Sequence, residues 1–310
     1  MPSDRIAAFR IFYNQTIFPE LVRLDRSRIR LLRLLALSGV LLLVLLVLQA
    51  LLQVLLLTLV LAIPIGIYLL YLLYRVRQFR LDFKPKIMRL VLDFIDDSPN
   101  VGTLAYDAKR KVDLAHFERS MLFESKADQY AGEDFINGDV NNVPFELSEL
   151  RVREYSRVRE RLNYVFAGVF FHARFPDAAK GAVVLLPRKF EQYLTRPLKA
   201  LYRQRFVPAD IYITNEAFRA YYLAYTVSKS RTNRILTPEL QDTIIDYQQR
   251  TGADIYLSFV GSHLYVAVTE HKDLLEPHLW QSNVSFELVR EFYQEIRTLL
   301  DILEAIALRR

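Results

Sequence analysis

The most prominent feature of the hydrophobicity pattern is an apolar stretch from Leu34 to Tyr74, 41 residues without a charged side chain. A bilayer core about 30 Å thick needs roughly 20 helical residues. At about 1.5 Å per residue this stretch would form a helix of roughly 60 Å, too long for one crossing. We therefore predict a two-helix transmembrane hairpin over residues 31–74, with its turn near 49–53, where two glutamines interrupt the apolar run.

Arginines flank both ends of this stretch. Positively charged flanks stay in the cytoplasm, so we expect a multi-pass protein of the inner membrane with both termini cytoplasmic. Residues 1–30 show apolar positions at helical spacing and predict a juxtamembrane amphipathic helix. The basic residues beside the membrane are Arg23, Arg26, Arg28, Arg30, Arg33, Arg75, Arg77 and Arg80.

Beyond the hairpin the pattern changes to that of an α+β domain, predicted over residues 81–310. Pro85 is predicted to open a helix, because proline is favoured at the first helical position. The remaining β segments and one helix follow from alternation and apolar periodicity. They are strands at 133–136 and 143–150 around a polar turn, strands at 164–174 and 182–186 joined as a longer-loop hairpin, and a helix over 188–204.

Three later elements carry stronger local signals. Thr237 and Pro238 are typical of a helix start, and that helix is expected to end at Gly252. Two alternating strands, 255–259 and 264–268, are separated by Gly-Ser, the signature of a tight hairpin. A long helix over 286–308 closes the chain, and its apolar stripe is interpreted as core.

Composition then separates the membrane segment from the domain. The formal charge of the chain is +6. Residues 1–80 hold ten arginines against three acidic residues, which leaves 31 of the 41 basic and 32 of the 35 acidic side chains for residues 81–310. The basic excess is therefore a topology signal and predicts no nucleic-acid partner. The absence of cysteine excludes disulfides, thiolate metal sites and a cysteine nucleophile.

Several segments, taken in order, resemble the bacterial membrane proteins known as the domain of unknown function 3137 family, sometimes mislabelled galanin. The segments are Phe12-Tyr13-Asn14, Ile17-Phe18-Pro19-Glu20-Leu21, the two-span insert, Tyr130-Ala131-Gly132-Glu133-Asp134, 145–150, 165–171, 234–238, Leu257-Ser258-Phe259 and Tyr265-Val266-Ala267-Val268.

The resemblance implies no established activity, cofactor or catalytic residue. It implies one candidate partner, a LemA-type membrane protein, because members are often encoded near such proteins. The chain departs from the family after the Phe-Phe pair. Members often have Asp-Phe-Asn-Lys there, whereas this chain has Ala173-Arg174-Phe175-Pro176-Asp177.

The candidate polar site is an acidic group in the β region. Paired carboxylates can hold a divalent cation or serve as acid and base. The alternative is a pair of solvated strands with a polar turn, in which Gly132 and Gly138 serve backbone geometry. The residues of this group are Glu133, Asp134, Asp139, Glu146 and Glu149.

The histidines, in contrast, give no metal prediction. The five are scattered along the sequence. His271 and His278 have Pro277 between them and no obvious carboxylate partner, and His263 is interpreted as a solvated turn residue. No phosphate loop, nucleophile elbow or dinucleotide fingerprint is present, so we assign no catalytic residue, no metal ligand and no cofactor.

Three functions remain open at this point. The first is a membrane-anchored cytoplasmic interaction or scaffold protein that works through partners or self-association, including a homo-oligomer. The second is a membrane-proximal enzyme that uses the acidic group as a metal or acid–base site. The third is an oligomeric pore or transport subunit, which the lack of ionisable residues in the spans disfavours.

Overall fold

The computed structural model describes ten segments of the chain and divides it into two compact units. Unit 1 consists of residues 1–94 and 274–292, and unit 2 of residues 95–273 and 293–310. The described residues are 2–52, 55–123, 127–156, 161–176, 181–189, 206–210, 213–227, 232, 235–269 and 275–307.

Long helices dominate unit 1. Helix α1 (Pro2–Phe12) runs through a π-helical turn (Tyr13–Ile17) into α2 (Phe18–Leu52), and α3 (Leu55–Asp96) follows. The break between α2 and α3 thus falls beside the predicted turn, and residues 53 and 54 lie outside the described part. The prediction that Pro85 opens a helix is wrong, since it lies inside α3. A proline there removes one backbone hydrogen bond, and the surrounding helix continues on both sides.

Two of these helical segments are long and apolar enough to cross a membrane. They are Arg5–Leu52 and Thr58–Asp96. Their apolar side chains project outward, as Leu46, Leu51 and Leu70 show, which are 64%, 73% and 68% exposed. In water this surface would be costly, at about 25 cal/mol per Å². The arrangement suits a membrane-associated protein, while the division at 1–30, 31–74 and 81–310 stays a prediction.

An aromatic cluster packs unit 1 at the start of the chain. The rings of Phe9 and Phe94 lie 5.2 Å apart, and those of Tyr13 and Phe286 lie 5.0 Å apart. Phe9 is fully buried. The apolar side chains near the N-terminus therefore pack inside unit 1. They contact residues that are distant in sequence.

Unit 2 is built on an antiparallel sheet. Within the described residues it has nine strands in the order β1-β2-β3-β4-β9-β8-β5-β7-β6. Together with the helices this gives the α+β class predicted from the sequence. The strands are β1 (Ala105–Asp107), β2 (Gln129–Val140), β3 (Val143–Ser156), β4 (Arg161–Arg174), β5 (Ala182–Pro187), β6 (Val207–Pro208), β7 (Tyr222–Thr226), β8 (Ile255–Val260) and β9 (His263–Thr269).

Two predicted hairpins have different outcomes. The tight β8–β9 hairpin is confirmed, with Val260 paired to His263 across Gly261-Ser262. The proposed β4–β5 hairpin is wrong, because β9 and β8 lie between those strands in the sheet. The turn residues at 176–181 carry no information about β8 and β9, which lie about 80 residues later in the chain.

The turn between β2 and β3 is shorter than predicted. It consists of Asn141 and Asn142, whose φ angles are +49° and +63°. Asparagine tolerates this left-handed conformation, which the tight primed turn requires. Gly138 and Asp139 therefore belong to β2 itself.

Among the described residues, four further helices complete the fold. They are α4 (Leu114–Arg119), α5 (Glu216–Tyr221), α6 (Pro238–Thr251) and α7 (Phe286–Ala307). Helix α6 confirms its prediction, because Thr237 caps its first turn and Gly252 ends it at φ +69°. Almost all of the helix predicted over 188–204 lies outside the described residues.

The core of unit 2 forms on one face of the sheet. Phe166 and Phe170 of β4 meet Phe117 of α4, with Phe117 and Phe170 centroids 5.4 Å apart. The aromatic run in β4 is thus core, as predicted. The apolar stripe predicted on helix α7 is also buried, with Val289 and Phe292 belonging to unit 1 and Ile296, Leu299, Leu303 and Ile306 to unit 2.

Candidate functional site

The five acidic residues singled out from the sequence fall in three places in unit 2. Glu133, Asp134 and Glu149 bring their carboxylates together, each within 4.8 Å of the others. Asp139 lies beside Gly102, whose amide donates to the Asp139 carbonyl oxygen over 2.9 Å. Glu146 belongs to a different group that contains histidines.

A β-bulge creates the first acidic group, termed here the acidic cluster (Glu133, Asp134, Glu149). Glu133 pairs with Glu149 across β2 and β3, and the register then shifts before Ile136. Asp134 occupies the bulge at φ +59° and is buried. The Tyr106 hydroxyl donates a hydrogen bond of 2.5 Å to its Oδ1.

An arginine compensates the charge of this cluster. Two glutamates directly opposite each other repel. The Arg151 guanidinium lies 2.8 Å from Glu149 and 3.6 Å from Glu133. The acidic cluster therefore has a structural explanation in its bulge and its ion pairs.

A second group, termed here the histidine cluster (His116, His172, His263), was not predicted. Its members come from α4, β4 and β9. His172 pairs with Glu146 of β3 on one side and with Tyr265 of β9 on the other. Strand alternation puts all of these side chains on the core-facing side of the sheet, at the end of the aromatic core.

Helix α4 brings the third histidine. Asp113 caps this short helix by accepting a 2.8 Å hydrogen bond from the Ala115 amide. The cap fixes the first turn, which carries His116. The rings of His116 and His172 stack with centroids 3.9 Å apart.

The ring nitrogens of the histidine cluster converge. Nε2 of His172 lies 2.8 Å from Nδ1 of His263, and one ring nitrogen of each of the three residues lies within 4.8 Å of the others. On its far side, Nδ1 of His172 lies 3.0 Å from Oε1 of Glu146. The interpretation of His263 as a solvated turn residue is therefore wrong, because its ring is partly buried against His172.

The surroundings favour neutral imidazoles at two of these positions. Burial, and then the neighbouring His172, lower the pKa of His116 and of His263. Burial acts to raise the pKa of Glu146, but the hydrogen bond and charge of His172 outweigh it, so this pKa is lowered. Burial also raises the pKa of Tyr265 to about 12, so the phenol beside His172 stays neutral.

The histidine cluster lines an open groove of about 600 Å³. Arg110, Arg119 and Arg174 also line it, and Glu146 is the acidic residue among its lining side chains. The Arg110 guanidinium lies 4.3 Å from the centre of the Phe135 ring, a cation–π contact that orients it. The groove is thus positively charged and accessible.

The sequence missed the histidine cluster because its members are separated by 56 and 91 residues. One signal was available within a single strand pair, namely Glu146 opposite His172, but this needed the β3–β4 register. Of the earlier histidine pair, His278 lies in unit 1 and His271 is outside the described residues.

Comparisons with known proteins support the family resemblance over the second half of the chain. The family model described as "Protein of unknown function (DUF3137)" matches residues 164–308. No curated protein matches the chain. Among solved structures the chain is similar to the crystal structure of the mycobacterial trehalose monomycolate transport factor A, TtfA, with 10% identity and a TM-score of 0.33, covering 63% of this chain and 88% of that one. A likeness of this size assigns no function.

Proposed function

We propose that this protein, whose residues 164–308 belong to the DUF3137 family, is a two-pass bacterial inner-membrane protein that works as an interaction or scaffold protein. In this proposal α2 and α3 anchor the chain. The sheet of unit 2 is held on the cytoplasmic side, where it acts through partners or self-association.

The observation that carries the proposal is the exposed apolar surface of the two long helices. Leucines such as Leu51 and Leu56 are 73% and 80% exposed, and they lie in the stretch from Leu34 to Tyr74, which holds no charged side chain. Lipid tails cover such side chains without a hydration cost, and helices satisfy their own backbone hydrogen bonds in the bilayer.

Arginines on both flanks support the orientation. Seven of the eight are exposed, which leaves them accessible to lipid head groups or cytoplasm. Arg28 differs, since its guanidinium is buried and donates to Asp25 over 2.9 Å and to the Leu279 carbonyl over 2.6 Å. Its role includes packing within unit 1.

The absence of cysteine allows a direct topology test. Single variants Lys109→Cys, in unit 2, and Leu52→Cys, at the end of α2, are labelled with an impermeant maleimide. We expect Lys109→Cys to react only in inverted vesicles and Leu52→Cys to react in intact spheroplasts. Labelling of Lys109→Cys in intact spheroplasts would overturn the orientation.

The interaction role is tested by the state of the protein in its membrane. Cross-linking in native membranes followed by mild-detergent purification should yield either a discrete homo-oligomer or a complex with a co-expressed LemA-type protein. If the protein is a monomer without a bound partner after cross-linking and purification, the proposed interaction role is wrong. The LemA-type partner is suggested by the family resemblance alone. A homo-oligomer without this partner would therefore still support the interaction role.

A second candidate is a membrane-proximal enzyme that uses the acidic cluster. It is favoured by the convergence of Glu133, Asp134 and Glu149. The ion pairs of Arg151 disfavour it, because they already neutralise two of these carboxylates. If Glu133→Gln and Asp134→Asn variants fold and keep the phenotype of the parent in a complementation assay, this candidate is eliminated.

A further inference from the structure

The structure assigns a divalent transition-metal site to His116, His172 and His263, of the class that Zn²⁺ occupies. These three histidines are distant in sequence and lie on three different elements, yet their rings meet at one wall of the groove. This inference does not depend on the proposed scaffold role or on the membrane orientation.

The spacing of the nitrogens fits one metal ion. Zinc binds histidine nitrogen at about 2.0–2.1 Å, so tetrahedral ligand nitrogens lie roughly 3.3 Å apart. His172 Nε2 and His263 Nδ1 are 2.8 Å apart, and the third nitrogen is within 4.8 Å of both. One ion bound by all three nitrogens would require the rings to turn until these separations are about 3.3 Å.

Glu146 supplies the support that a metal-binding histidine needs. Metal-ligating histidines usually give their other ring N–H to a carboxylate, which fixes the tautomer. Glu146 accepts this bond from Nδ1 of His172. Nε2 of His172 then carries a lone pair in the plane of its ring, directed at Nδ1 of His263 2.8 Å away, while the His116 ring stacks on the face of this imidazole.

His116 contributes a nitrogen that the protein leaves unsatisfied. Its buried Nδ1 has no hydrogen-bond partner among the described residues. Buried polar atoms normally have partners. If the His116 ring rotates so that Nδ1 binds the metal ion, this nitrogen gains a partner and the ion gains its third histidine ligand.

The ligand types select the metal class. Three imidazoles suit zinc, copper, nickel or cobalt, whereas calcium and magnesium prefer oxygen ligands. Three histidines with an open position are also the arrangement of accessible zinc sites. The groove leaves room for an exchangeable fourth ligand, and its arginines at 110, 119 and 174 complement an anionic one.

Metal binding is tested on the full chain purified in detergent and stripped with EDTA. We expect Co²⁺ to bind at one equivalent and give the intense visible bands of four-coordinate cobalt, and Zn²⁺ to displace it. His172→Ala and His263→Ala should lose this equivalent, while the control His278→Ala keeps it. Circular dichroism of each variant in EDTA checks that it folds.

Three results would overturn the site. The first is a wild-type chain that binds no stoichiometric Co²⁺ or Zn²⁺, which needs no variant. The second is binding that survives in folded His172→Ala and His263→Ala. The third is thermal stabilisation of the stripped wild-type chain by inorganic phosphate and not by Zn²⁺, which would make the groove an anion site.

Discussion

The acidic cluster and the histidine cluster lie on the same sheet, and each brings three metal-ligating side chains within 4.8 Å. Their surroundings differ. Arg151 forms ion pairs with Glu149 and Glu133, and Tyr106 donates to Asp134. The three histidines contact one another, the Tyr265 ring and the Glu146 carboxylate, and they line a groove together with three arginines.

This difference shows that proximity of ligands does not by itself make a site. In the acidic cluster, the Arg151 guanidinium and the Tyr106 hydroxyl already stabilise the carboxylate charges. The cluster is therefore accounted for as part of a β-bulge. In the histidine cluster, Glu146 lies 3.0 Å from His172 and 3.6 Å from His116, and Nδ1 of His116 has no hydrogen-bond partner among the described residues. A metal ion is the partner that such an arrangement lacks.

The largest expected effect is metal stabilisation that depends on one cluster only. Zn²⁺ at 100–1,000 times its Kd should stabilise the wild-type chain by about 3–4 kcal/mol, seen as a rise in Tm that EDTA reverses. The rise should persist in Glu133→Gln and vanish in His172→Ala. A rise in Tm that vanishes in Glu133→Gln and persists in His172→Ala would show that the acidic cluster binds the metal.

Gly132 tests whether the bulge is a packing feature. A Cβ at this position would lie 2.6 Å from Leu150 Cδ2 and 2.7 Å from the Glu149 carbonyl oxygen. Gly132→Ala should therefore destabilise the protein by about 1–3 kcal/mol, measured as a fall in Tm. The matched control is Gly39→Ala, where a Cβ meets nothing within 4 Å. Equal Tm values for both variants would contradict the steric account.

Glu146 tests the orientation of His172. Glu146→Gln should weaken Zn²⁺ binding by about 10–100-fold, the usual effect of losing a carboxylate behind a ligating histidine. Competition with a chelator of known affinity measures this change. Glu149→Gln, on the same strand in the acidic cluster, is the control and should leave the affinity unchanged. Equal losses in the two variants would mean that the effect is not local.

Arg151 gives a smaller effect on stability. Arg151→Ala removes the guanidinium that lies 2.8 Å from the buried Glu149 and 3.6 Å from Glu133, which should cost about 1–2 kcal/mol. Adding Glu149→Gln should recover part of the loss, and Tm of the four variants in the cycle measures the coupling. The control Arg23→Ala breaks an exposed pair with Glu20 and should change stability by less than about 0.5 kcal/mol.

Local signals in the sequence predicted much of the fold. The Thr237-Pro238 start, the Gly252 end and the Gly261-Ser262 hairpin were found because each depends on a few neighbouring residues. The length of the apolar stretch and its arginine flanks likewise gave two candidate spans.

Non-local features could not be predicted in this way. Pro85 carries a helix-start signal, yet α3 continues through it. The pairing of β4 with β9 depends on strands about 100 residues apart. The histidine cluster requires that pairing together with the position of α4, so sequence spacing could not bring its members together.

We propose that the histidine cluster, and not the acidic cluster, holds a metal ion. X-ray absorption spectroscopy at the zinc edge of the full chain loaded with one equivalent tests it most directly. We expect imidazole scattering from three histidine nitrogens at about 2.0–2.1 Å. A spectrum of oxygen ligands without imidazole scattering would contradict it.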